Sequence, residues 1–89
     1  MTTQSTTPIV GSRFDAELDT SGLLCPLPVY KAALALGQLA PGQILRLITT
    51  DPGSLEDIPA LARQRGDILL SAERHEDHQE FFIEKGTRI

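Results

Sequence analysis

The 89-residue chain has one cysteine, no tryptophan and four other aromatic residues, Phe14, Tyr30, Phe81 and Phe82. A single cysteine excludes an internal disulfide and a cysteine-based metal cluster. Basic residues are few, eight Lys and Arg against twelve Asp and Glu, for a formal charge of −4. That balance argues against binding nucleic acid through its phosphates. No apolar run approaches the ~20 residues of a membrane span. The stretch Met1–Arg13 is polar, lacks the apolar segment of a secretory signal, and reads as a disordered tail. A lone thiol without an export signal points to a reducing cytoplasm. The remaining length suits one domain with a small core and no large cofactor pocket, so chemistry is expected at the surface, on one or two side chains.

Between residues 14 and 86 the hydrophobic period switches repeatedly. Phe14, Ala16 and Leu18 alternate with Asp15, Glu17 and Asp19, as in a half-buried strand. Thr20-Ser21-Gly22 breaks it. From Pro26 the period becomes helical, with Val29, Ala32, Ala33, Leu36 and Leu39 or Ala40 on one stripe, until Pro41-Gly42 stops it. Gln43–Thr50 is apolar and β-branched, which predicts a buried strand, and Asp51-Pro52-Gly53 is a turn. A second helix over Ser54–Arg65 places Leu55, Ile58, Leu61 and Ala62 on one face, with Gly66 as its stop. Ser54 with Asp57 resembles a capping box, but Pro59 leaves open a later start at Asp57. Asp67–Arg74 and Gln79–Lys85 read as an antiparallel hairpin around His75-Glu76-Asp77-His78. Gly86–Ile89 reads as a loose end. The string β-α-β-α-β-β predicts an α+β two-layer sandwich: a four-stranded mixed sheet with two helices on one face. The other face is left open to Asp15, Glu17, Asp19 and Arg46.

The chemically informative segment is Gly22-Leu23-Leu24-Cys25-Pro26-Leu27-Pro28. Cys25 precedes a helix whose first turn holds two prolines, tolerated there because first-turn N–H groups lack intrahelical partners. The free N–H groups of that turn, such as those of Leu27 and Val29, and the positive end of the helix dipole would favour a thiolate. A lone cysteine is more often a small buried hydrophobe. The residues alone therefore leave a reactive and a structural Cys25 both open. Elsewhere, His75 and His78 fit a solvated turn better than a metal site, and no metal or other cofactor is expected. Asp51 and Asp57 fit turn and capping roles better than paired acids. Lys31, Arg63 and Arg65 fit a solvated helix face better than a basic docking spot.

The stretch from Leu18 to Pro28 resembles the Cys-Pro-x-Pro signature of the TusA (SirA-like) sulfur-carrier family. Further matching segments follow in order: Pro41-Gly42, Thr50-Asp51-Pro52, Asp57-Ile58-Pro59 and Ile83-Glu84-Lys85. The resemblance spans Phe14 to Gly86. It implies the same β-α-β-α-β-β fold, similar to the C-terminal domain of bacterial translation initiation factor three. It implies a persulfide relay on Cys25, with Gly22, Pro26 and Pro28 supporting the loop. Asp51, Pro52, Asp57 and Ile58 would serve as docking or structural residues at the same end of the sheet. The implied donors are cysteine desulfurases or rhodanese-like proteins, and the implied acceptors include DsrE/TusD-type proteins. The end uses would be tRNA thiolation, molybdoenzyme maturation or oxidative sulfur metabolism. A monomer that binds neither membrane nor nucleic acid suits such a carrier. The sequence departs from the tRNA-thiolation pattern in three places. Leu27 stands where an acidic residue is frequent, Leu61-Ala62 where a second cysteine is frequent, and Gly66-Asp67 where Gly-His is frequent. The competing reading is a non-catalytic interaction or regulatory domain with a structural cysteine.

Overall fold

In strand β2 (Ile44–Thr49) side chains alternate strictly, with Leu45, Leu47 and Thr49 buried on one side and Arg46 on the other. That alternation sets the layers of the computed structural model, which describes residues 14–24 and 26–86. The tail read over Met1–Arg13, Cys25 itself and Thr87–Ile89 lie outside the described residues. The elements run β1 (Ala16–Thr20), α1 (Leu27–Gly37), β2, α2 (Ser54–Arg65), β3 (Ile68–Arg74) and β4 (Gln79–Glu84). The sheet order is β1-β2-β4-β3. β1 and β2 are parallel, and the other pairs are antiparallel. This is the predicted mixed sheet, with β3 and β4 forming the predicted hairpin.

The core lies between the sheet and one helix layer. Ala32 and Leu36 of α1 and Ile58 and Ala62 of α2 meet Leu45, Leu47, Phe81 and Ile83 of the central strands. Val29, Ala35, Leu39, Leu55, Leu61, Ala16 and Leu18 pack around them, so the predicted stripes hold except that Ala35, not Ala33, packs on the core, and Leu39 rather than Ala40 completes the first. On the open face Arg46 bridges Glu17 and Glu80, each at 2.5 Å. Asp15 and Asp19 do not join this network: Asp15 accepts the Ile44 N–H at 2.8 Å, and Asp19 turns to Ser21.

Several expectations need correction. Phe14 does not continue the alternation. It precedes β1, and its ring lies against Phe82 (6.3 Å between centroids) under the Arg46 guanidinium, on the side opposite Ala16 and Leu18. Helix α1 ends at Gly37, before Pro41-Gly42. Gln38 and Leu39 tighten the last turn by bonding to the carbonyls of Ala35 and Leu36. The Lys85 ammonium then caps the Leu36 and Leu39 carbonyls at 2.7 and 3.1 Å. A cation is favoured at that negative helix end. Helix α2 starts at Ser54, the earlier alternative, and carries Pro59 inside it. The Ser54–Asp57 capping box does not form: the N-cap is Gly53 and no side chain caps it.

Gly66 ends α2 as predicted, in the left-handed conformation (φ 83°), with the Asp67 N–H reaching back to the Ala62 carbonyl at 2.9 Å. Gly86 is no loose end. It is buried, and its N–H donates to Asp67 Oδ1 at 2.8 Å, while Arg65 Nε donates to Oδ2 of the same carboxylate at 2.8 Å. A Cβ at Gly86 would stand 2.0 Å from the Gly66 carbonyl oxygen.

Candidate functional site

The C-terminal ends of the parallel strands β1 and β2 supply the loops on which the site is built, as the crossover topology requires. After β1 the chain turns sharply. Asp19 Oδ1 accepts both the Ser21 hydroxyl (2.6 Å) and the Ser21 N–H (2.9 Å). These two donors, the hydroxyl first, hold the Asp19 carboxyl below the ordinary aspartate range. Gly22 takes φ 84°, in the left-handed region that favours glycine. Its N–H donates to Thr50 Oγ1 at 2.8 Å, tying this loop to the end of β2. One residue before the turn, Thr20 is buried and its hydroxyl donates to the Ile48 carbonyl at 2.7 Å.

Position 25 is bracketed by two described residues, Leu24 and Pro26. The Leu27 N–H donates to the Leu24 carbonyl at 2.9 Å across it. This corrects the sequence reading, in which the Leu27 N–H was one of the donors free to meet a thiolate: the turn preceding the helix takes it. Pro26 is the N-cap and Pro28 lies in the first turn, fully buried. The two prolines therefore have separate tasks, Pro26 ending the loop and Pro28 anchoring the helix start in the core. No acidic residue lies in the first turn of α1, so within that turn nothing offsets the positive end of this 11-residue helix.

The Asp-Pro segment is placed at the same end. The Asp51 carbonyl accepts the Ser54 N–H at 2.9 Å, and its Oδ1 accepts the Gly53 N–H at 3.2 Å. Asp51 thus has the turn role the sequence favoured. Asp57 does not cap α2, but its carboxylate converges with that of Asp51 on Gly53, where a Cβ would lie 3.7 Å from Asp51 oxygens and 3.8 Å from Asp57 Oδ2. Pro52 is exposed in the turn. Ile58 has no exposed surface and belongs to the core, so it is structural and not a docking residue. Pro26 and Val29 of α1 with Asp57, Ala60, Leu61 and Gln64 of α2 line a shallow groove of about 240 Å³.

Gln79, at the start of β4, was read only as a strand residue. It is 7% exposed, and its amide pairs with Thr49 Oγ1 at 2.7 Å; with the amide turned so that its nitrogen faces this side, it also reaches the Thr49 carbonyl (3.1 Å) and the Asp51 carbonyl (3.2 Å). It therefore fixes the loop carrying Asp51 from beneath. A polar residue at an inward position of a strand was the available signal.

At the hairpin, the His75 and His78 rings stack at 4.5 Å. His75 Nε2 lies 3.5 Å from both Glu73 and Glu80, not beside Glu76 and Asp77, the residues between the two histidines. Among the described residues this trio is the one group whose ligand atoms lie within 4.8 Å of one another. Glu80 Oε2 is already engaged by Arg46. Arg65 binds Asp67, which separates it from any spot shared with Lys31.

The architecture and the Gly22–Pro28 loop together define a small two-layer α/β protein that presents one helix start at the edge of its sheet. A solved SirA-like protein of Desulfitobacterium hafniense has this fold, with a TM-score of 0.67 at 25% identity, over 81% of this chain and 99% of that one. A family model described as sulfurtransferase TusA matches residues 16–85; the chain belongs to the TusA family. It is 44% identical over 72 residues to the sulfur carrier protein TusA of Allochromatium vinosum, covering 81% of this chain and 95% of that one. It is 38% identical over 72 residues to the Bacillus subtilis protein YrkI, covering 81% and 96%. Among the described residues no helix is long and apolar enough to cross a membrane.

Proposed function

We propose that the protein is a sulfur carrier whose Cys25 holds sulfane sulfur as a persulfide. The observation that carries the reading is positional. The only thiol of the chain immediately precedes the Pro26 N-cap of a helix without first-turn carboxylates, within a chain of the TusA family. The helix dipole lowers the pKa of a thiol at such a position, and the thiolate is the reactive form. The naming of the Allochromatium relative as a sulfur carrier supports the same reading.

The step balances without an oxidant. The Cys25 thiolate attacks the outer sulfur of a donor persulfide, R–S–SH. A new S–S bond forms to Cys25, the donor's S–S bond breaks, and the donor leaves as the thiolate R–S⁻. Cys25–S–SH then yields its outer sulfur to an acceptor thiolate by the same exchange, and Cys25 returns as a thiolate. Gly22, Pro26 and Pro28 hold the loop, and Asp51 and Pro52 shape the turn beside it. The donor is a cysteine desulfurase or rhodanese-like protein and the acceptor a DsrE/TusD-type protein. The carrier works in the cytoplasm as a monomer. With one thiol in the chain, the persulfide cannot collapse into an internal disulfide and must be handed on.

Intact-mass measurement after incubation with a persulfide donor tests this. The wild-type protein should gain the mass of one sulfur atom, and Cys25→Ser should gain none. A wild-type protein left unmodified by small-molecule and protein donors alike would refute the assignment and favour the structural-cysteine reading.

A further inference from the structure

Helix α1 carries one charged residue, Lys31, in the sequence LPVYKAALALG. A helix apolar on all sides is normally buried on all sides. This one is not. Pro28, Ala32 and Leu36 face the core, while Leu27, Tyr30 and Leu34 are 45, 61 and 52% exposed. Their spacing of three and four residues puts them on one stripe roughly opposite the buried one. Leu24, 71% exposed, extends the stripe to the other side of position 25. The groove lined by Pro26, Val29, Ala60 and Leu61 adjoins it along the flank of α1. Scattered surface leucines need no explanation, but a continuous apolar band centred on one loop marks an interaction surface.

The charge around this band specifies the occupant. The segments 18–30 and 47–62 form the loop, the first turn of α1, the end of β2 and most of α2. They contain Asp19, Asp51, Glu56 and Asp57 and no Lys or Arg. The bond from Gly22 to Thr50 and the convergence of Asp51 and Asp57 on Gly53 gather these carboxylates at one end of the molecule. Two cations stand nearer: Lys31 is exposed on α1 beside Tyr30, and Arg74, paired with Gln79, lies at the same end of the sheet on the edge strand β3, two strands from β2. The other described cations lie elsewhere: Arg63 and Arg65 close the far end of α2, Lys85 caps the far end of α1, and Arg46 sits on the open face, so the surroundings of the band remain acidic on balance.

We infer that Leu24, Leu27, Tyr30 and Leu34 dock into an apolar recess around the reactive sulfur of a partner protein, and that the recess is rimmed by Lys and Arg. This rests on the Cys25 reading and adds to it the chemistry of the partner's surface. The apolar contact supplies affinity; the acidic rim steers encounter and is weakened by salt. The site chemistry alone requires neither, because a small persulfide reaches Cys25 without docking.

That difference gives the test. Sulfur loading of the full-length protein is followed by mass from two donors, glutathione persulfide and a cysteine desulfurase supplied with cysteine. The Tyr30→Ser/Leu34→Ser double variant, checked for folding by circular dichroism, should load from glutathione persulfide at the wild-type rate. From the desulfurase it should lose about tenfold or more in kcat/KM, as expected for removing central apolar anchors. Glu56→Lys should raise KM for the desulfurase at low salt and lose most of that effect at high salt. Wild-type-like loading of the double variant from the desulfurase would overturn the docking surface while leaving Cys25 as the sulfur site. Failure of the wild type to load from either donor would overturn the sulfur-carrier reading itself. A wild type that elutes as a dimer and a double variant that elutes as a monomer would assign the band to a second copy of this chain and overturn the partner surface.

Discussion

Gly22 offers a separation of two costs that are usually mixed. The residue adopts φ 84°, yet a Cβ built there meets none of the described residues within 4 Å. Substitution by alanine therefore carries no steric clash with them, and its cost is conformational. Holding an L-residue in the left-handed region costs roughly 1–2 kcal/mol. Alanine recovers about 0.4–1 kcal/mol because it also restricts the unfolded chain. The net expectation for Gly22→Ala is a destabilisation of about 1 kcal/mol, or a Tm lowered by roughly 4–8 °C in a domain of this size. Asparagine tolerates the left-handed region far better, so Gly22→Asn should lose less than half as much. The loop leads directly to position 25. Alkylation of Cys25 by iodoacetamide at neutral pH should therefore slow in the alanine variant and recover in the asparagine variant. Thermal unfolding by circular dichroism and alkylation followed by mass supply both readouts. An alanine variant as stable as wild type, or an asparagine variant damaged as much as alanine, would refute the argument that backbone conformation alone requires glycine here.

Two further outcomes test the frame around the site. Gly86→Ala places a Cβ 2.0 Å from the Gly66 carbonyl oxygen and endangers the bond from Gly86 to Asp67; it should cost about 3 kcal/mol or more in denaturant unfolding, and a loss below about 1 kcal/mol would show that the α2 end yields freely. The depressed Asp19 carboxyl should titrate by NMR below the ordinary aspartate midpoint and return toward it in Ser21→Ala. Because its folded pKa lies below the unfolded value, its contribution to stability is present above the unfolded pKa and fades as pH falls through the folded one. An unshifted Asp19 midpoint would exclude the Ser21 hydroxyl as the force shaping that turn.

The order of elements and most of their bounds were legible because they rest on periods carried by neighbouring residues. The two-residue alternation of Ala16 and Leu18 in β1, the stripe of Ala32 and Leu36, and the left-handed stop at Gly66 are local statements. The helix start after position 25 was legible for the same reason: Pro26-Leu27-Pro28 needs only its neighbours to suggest one, while those neighbours left the role of the thiol open. What escaped depends on residues far apart in the chain. Capping of α1 by Lys85 joins residues 49 positions apart, so no reading of α1 alone could place its end. Ile58 occupies a motif segment that suggested docking, yet its position on the helix turns it into the core.

The sequence by itself determined the layers, the hairpin, the acidic balance and the presence of one thiol at one helix start, since each follows from composition or from short-range pattern. Only the tertiary structure decided the rest. It brought the Asp51–Asp57 segment beside the Gly22 loop, tied Gly86 to Asp67, and left the outer stripe of α1 uncovered. The physical reason is that burial is a property of the assembled layers. An apolar helix has the same sequence whether two of its faces are packed or one, and only the placement of α2 and the sheet shows that Leu27, Tyr30 and Leu34 are left facing outward.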